Sequence, residues 1–79
     1  MDKEQKELKK FLEQQLEWAK DQTRILGQID TKLHQMKSLA VYAAEHDLPE
    51  YDINELNTRI NRLKKEVHML ERQMHGTVH

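Results

Sequence analysis

The chain contains no cysteine, a single proline and two glycines among its 79 residues, and aromatic residues make up only 5% of it. Without cysteine, neither a disulfide nor a thiolate metal site is possible. Sparse glycine and proline, with abundant Leu, Lys, Glu and Gln, are typical of long helices rather than of turns and sheets. No apolar run approaches the roughly 20 residues that span a bilayer. The first six residues lack the apolar stretch of a signal peptide, so we expect a cytoplasmic protein without membrane contact.

Size and charge narrow the possibilities further. A chain of this length forms one domain, residues 1–79, whose own core stabilises it only weakly, so oligomerisation is the expected route to stability. Charged residues make up 34% of the chain, and 13 basic against 14 acidic side chains leave a net charge of −1. Because phosphate binding depends on a basic surface that releases counterions, this balance makes nucleic acid an unlikely partner of the whole chain.

A heptad repeat occupies the C-terminal third. β-Branched residues and a final Met alternate with Leu at three-four spacing, with almost nothing apolar between them: Ile53, Leu56, Ile60, Leu63, Val67, Leu70 and Met74. Such a narrow seam is typical of a coiled-coil helix that packs against another helix. In a parallel homodimer Arg59 would face Lys64, and Glu66 would face Glu71. These like charges favour antiparallel packing against the first helix.

A longer apolar stripe predicts a first helix over about residues 3–46. Its members keep the three-four step with few interruptions: Leu8, Leu12, Ala19, Leu26, Ile29, Leu33, Met36, Ala40 and Ala43. Further apolar residues flank this stripe and widen it: Phe11, Leu16, Trp18, Ile25 and Leu39. A wide stripe suits a helix with more than one neighbour, as in a bundle.

The second helix has a well-defined start signal in the sequence. Pro49 disfavours the helical conformation at Leu48, which predicts an acidic turn over 47–52. Asp52 is the expected N-cap, with Glu55 completing a capping box and Tyr51 placed to contact Leu56 as a hydrophobic staple. We therefore expect a helix over about 53–75 and a frayed tail over 76–79.

Gly27 decides between two all-α architectures. Periodicity runs through it unbroken, which favours a continuous helix; a break there would instead give a monomeric three-helix bundle. With a continuous helix, the shorter second helix covers only the C-terminal half of the first, so we expect it to leave the residues from Leu8 to Trp18 uncovered. The favoured architecture is therefore a helical hairpin that dimerises into an antiparallel four-helix bundle.

Three clusters of polar residues are candidate sites. His68, Glu71 and His75 share one helix face at a spacing that zinc could use, but surface histidines are the simpler interpretation. Glu45, Asp47 and Glu50 form an acidic tip that could dock a basic partner. A basic stretch over residues 59–65 could enter a DNA groove, although acidic residues interrupt it farther along the helix.

The sequence therefore predicts a non-enzymatic helical interaction module, a small regulator or adaptor that forms a homodimer and presents helix faces to a protein partner. We expect no catalytic residues and no cofactor, because two or three short helices scarcely enclose a pocket. The alternative function is a nucleic-acid-binding regulator that uses the basic stretch over 59–65.

Overall fold

The computed structural model describes the backbone of residues 2–76 and the side chains of residues 2–74. It is all-helical: α1 spans Asp2–Glu45, α2 spans Glu50–Gly76, and the two pack against each other as a hairpin without strands in the described part of the chain. The molecule is rod-shaped, with extents of 71 × 18 × 11 Å. Within the described residues, neither helix combines the length and apolar composition of a membrane span.

The first helix is continuous through Gly27, so the three-helix alternative is wrong. All 44 residues of α1 are helical, and no glycine of the described chain has a positive φ. A Cβ atom added at Gly27 would meet nothing within 4 Å, so no second segment of the described chain passes close to this position. The unbroken apolar periodicity on both sides of Gly27 outweighs the roughly 1 kcal/mol that a helical glycine costs.

The two helices are joined by a short connection over residues 46–49. The His46 amide donates to the Tyr42 carbonyl at 3.1 Å, and the His46 ring stacks on the Tyr42 ring with 4.0 Å between centroids. The imidazole Nδ1 of His46 lies 2.8 Å from the same carbonyl oxygen. These contacts complete the last turn of α1 where its carbonyls would otherwise lack partners.

The second helix begins earlier than the sequence analysis predicted. The Ile53 amide donates to the Pro49 carbonyl at 3.1 Å, so α2 begins at Glu50 and Asp52 lies inside its first turn. Asp52 is therefore not the N-cap, and the turn predicted over 47–52 is too long. Proline already has a helical φ, which lets the helix start directly after Pro49. At the other end α2 includes Gly76, and the rest of the predicted tail lies outside the described residues.

The contact between the helices is a thin double seam. On α1, seven residues at unbroken three-four spacing lose much of their exposure: Gln22, Ile25, Ile29, Lys32, Met36, Leu39 and Ala43. On α2, six of the seven heptad residues are buried or half-buried: Leu56, Ile60, Leu63, Val67, Leu70 and Met74. The exception is Ile53, which stays exposed because it lies beside the end of α1, where little of that helix remains to cover it.

The seam on α1 differs from the predicted stripe. Ile29 and Met36 lie in it as expected, but Leu26 and Leu33 are about half exposed, at 52% and 48%. Ile25, expected at the flank, is instead the most buried residue of the core. Because α1 has apolar residues on two adjacent faces, the narrow seam of α2 covers only one of them.

Candidate interaction surface

A long part of α1 extends beyond α2. Lys32 Nζ lies 3.3 Å from Glu66 Oε1, and this partly buried ion pair fixes the register of the two antiparallel helices. Counting equally from that pair, Gly76 at the end of α2 falls opposite Gln22 on α1. Residues 2–21, which we name the overhang, therefore have no described residue of α2 opposite them. At 1.5 Å per residue the overhang is about 30 Å long.

The overhang carries a contiguous apolar face. The large apolar side chains that the sequence placed there are between 41% and 58% exposed: Leu8, Phe11, Leu12, Leu16 and Trp18. Leu8, Phe11 and Leu12 lie within about one turn of one another, and Leu16 and Trp18 lie at the two edges of the face that they form, so the five residues make one broad apolar face. Contiguous exposed patches of this kind mark interaction sites more often than ordinary surface.

A second apolar surface continues from the overhang onto the hairpin. Every seventh residue of α1 from Leu12 to Ala40 is apolar and exposed, and we name this set the flank column: Leu12, Ala19, Leu26, Leu33 and Ala40. Beside it, between the two helices, lies a groove of about 440 Å³ lined mainly by apolar side chains. This apolar groove is formed by Leu26, Ile29, Leu33, Val67, Glu71 and Met74.

The opposite side of the hairpin is polar. A groove of about 730 Å³ there includes Asp30, His34, Arg59, Arg62 and Glu66 among its lining residues. Both acidic and basic side chains line this groove, so it does not present a uniformly positive surface to an anion. The two sides of the hairpin therefore differ in chemistry, and the apolar side is the one continuous with the overhang.

Ion pairs elsewhere on α1 are local and exposed. Lys20 lies 3.9 Å from Glu17, and Lys9 lies 4.0 Å from Glu13. Exposed pairs one helical turn apart contribute only a few tenths of a kcal/mol each. They keep the outer face of the helix polar but add little to the stability of the hairpin.

The predicted polar sites are only partly assembled. No group of metal-ligating side chains occurs among the described residues, and the His75 side chain lies outside them, so zinc binding at His68 and Glu71 stays untested. The basic stretch divides: Arg59 and Arg62 line the polar groove, whereas Lys65 lines a separate shallow cavity beside His68.

The acidic tip is spread over the hairpin end. Glu45 is the last residue of α1, Asp47 lies in the connection and Glu50 begins α2, and all three are exposed. Glu50 and Asp52 lie in the first turn of α2, where their negative charges interact favourably with the positive end of the helix dipole. Docking of a basic partner at this tip stays a prediction.

Sequence reasoning missed two members of the α1 seam, Gln22 and Lys32. Gln22 is 9% exposed, and Lys32 is partly buried by its pair with Glu66. The signal was present as unbroken three-four spacing from residue 22 to residue 43, but polar residues at two of those positions hid it. Long side chains can occupy such positions because their apolar stems pack while their polar ends reach a partner.

No protein-family model matches this chain, and neither a curated protein nor a solved structure matches it. The surfaces just described are therefore the basis on which we infer its function.

Proposed function

We propose that this chain is a non-enzymatic helical interaction module, a small cytoplasmic regulator or adaptor. It self-associates into an antiparallel dimer with a four-helix core and presents its remaining helix faces to a protein partner. The observation that carries this proposal is the overhang, whose strip of Leu, Phe and Trp side chains is about half exposed in the single chain.

Two physical arguments support association. A large apolar side chain gains about 1.5–3 kcal/mol when it passes from full exposure to full burial, and the five residues of the overhang, about half exposed, each retain roughly half of that gain as a driving force for association. The hairpin alone has a small core in which only four apolar residues of the described chain are buried, Ile25, Leu56, Val67 and Leu70. A fold with so little interior benefits from covering more of its apolar surface.

Light scattering at micromolar concentration tests the proposal. We expect a mass of twice the 9.5 kDa chain, falling toward a single chain on dilution. The substitution Leu12→Gln should shift the protein to the single-chain mass, because Leu12 belongs to both the overhang and the flank column. Met69→Gln is the matched control: Met69 is as exposed as Leu12, at 53% against 56%, but lies on the outer face of α2. A monomer at all concentrations, or equal effects of both substitutions, would contradict the proposal.

Binding to nucleic acid is the competing function, and its salt dependence separates it from helix packing. Neutralising several phosphates makes affinity fall steeply with salt, whereas apolar association barely responds. Mixed-sequence duplex DNA and single-stranded RNA should bind weakly or not at all at low salt, since Arg59 and Arg62 share their groove with Glu66 and Asp30. Tight binding that high salt abolishes would favour the alternative.

A further inference from the structure

We propose that the occupant of the apolar groove is the overhang of a second copy of this chain, with the two α1 helices antiparallel and crossing at Ala19. This inference rests on the proposed self-association and adds the partner surface and the register. Each copy would place Leu8 and Leu12 against the groove of the other, so that two equivalent sites close the dimer by twofold symmetry.

The groove lies where an antiparallel overhang would reach it. It is centred on residues 26–33 of α1 and 67–74 of α2. When one α1 is laid antiparallel on another about Ala19, Leu12 falls opposite Leu26 of the second copy, because both lie seven residues from Ala19. Leu8 lies eleven residues before Ala19 and Ile29 ten residues after it, so Leu8 falls within one residue of Ile29 of the second copy, which also lines the groove. The exposed apolar residues of the overhang thus meet the apolar lining of the groove.

Charge complementarity selects this register over its neighbours. Lys9 lies ten residues before Ala19 and Asp30 eleven residues after it, so Lys9 falls within one residue of Asp30 of the second copy, which also lines the polar groove. By the same count Asp2 falls within one residue of Lys37 of the second copy. A shift by one heptad in one direction would bring Lys9 against Lys37, and a shift in the other direction would bring Asp2 against Asp30. A parallel arrangement would bring Lys9 against Lys9. Like charges in contact disfavour all three alternatives.

The residues at the crossing point also permit close approach. Ala19 is exposed and small, so two helices can come together there with little between them. The charged residue next to it, Lys20, already lies 3.9 Å from Glu17 of its own helix, which reduces its repulsion of the equivalent lysine across the axis.

Single introduced cysteines test the register, because the chain has none of its own. Ala19→Cys should form a disulfide-linked dimer on mild oxidation, since a bridge requires Cβ atoms about 4 Å apart. Leu12→Cys alone should not cross-link, but mixed with Leu26→Cys it should form the mixed dimer. Cross-linking of Leu12→Cys with itself would show a parallel dimer, and cross-linking with Leu33→Cys would show a register shifted by one heptad. Either result would overturn the proposal.

Charge reversal gives a second, reversible measurement. Lys9→Glu and Asp30→Lys should each weaken dimerisation, by roughly a few-fold to tenfold, and the double variant should restore it. The molar mass of every variant is also measured by light scattering under reducing conditions, where no disulfide holds the chains together. A dimer that lacks these cross-links and this rescue refutes the register but leaves self-association intact, whereas a monomer refutes both. Binding of the groove to a different protein, with no effect of the paired reversal, would also overturn the inference.

Discussion

Replacing Leu70 with Ala should destabilise the hairpin far more than replacing Leu26 with Ala, although both are leucines of the helix-packing region. Leu70 is 9% exposed and Leu26 is 52% exposed. Truncating a core Leu costs about 2–5 kcal/mol, and the lower end, about 2 kcal/mol, is expected here. The reason is that the hairpin is thin, 18 × 11 Å across, so water can enter the vacated space. Leu26→Ala should cost roughly 1 kcal/mol or less, because half of the side chain is already hydrated.

Urea unfolding followed by circular dichroism measures both values, at a dilution where light scattering shows single chains. At higher protein concentration Leu26→Ala should become more damaging, since Leu26 lines the apolar groove and its loss would weaken association. Equal losses for the two substitutions in the single chain would refute the assignment of the seam to the Ile25 face of α1.

Two substitutions test the helices themselves. Gly27→Ala should raise the free energy of unfolding by about 0.5–1 kcal/mol, because the added methyl meets nothing within 4 Å; a lower melting temperature would show that another backbone packs there. Asp52→Ala should lower the free energy of unfolding by only about 0.3–1 kcal/mol, because only the favourable interaction of the charge with the helix dipole is lost. Asp52→Asn is the control for the charge. A loss near 2 kcal/mol in the thermal melt would instead show that Asp52 is the N-cap.

The outlines of the fold were predictable because they depend on periodicity. The apolar step through Gly27 predicted a continuous α1, and the heptads of α2 predicted its packing face. The start of α2 was not predictable in the same way. A proline both restricts the residue before it and suits the first turn of a helix, and the second effect determined the position of Glu50.

The part of the site that sequence reasoning could identify is the overhang, because a length difference between two helices leaves apolar residues without cover. The choice of seam on α1 was harder to predict. Ile25 and Leu26 are adjacent in the sequence and both apolar, so pattern alone ranks their faces almost equally. The face that packs is also the one that brings Lys32 beside Glu66, and a pair between distant residues cannot be read from local spacing.

The face that α2 covers is not wholly apolar. It contains Gln22 and Lys32, whereas the flank column from Leu12 to Ala40 contains only Leu and Ala and stays exposed. Opposite α2, however, the seam has more large apolar residues, Ile25, Ile29, Met36 and Leu39, than the flank column, which has Leu26 and Leu33, so the hairpin gains more free energy by burying the seam. A bundle helix needs one face for each neighbour. In the proposed dimer the polar residues of the seam set the register of the hairpin, and the wholly apolar column is the face available to the helix of a second copy.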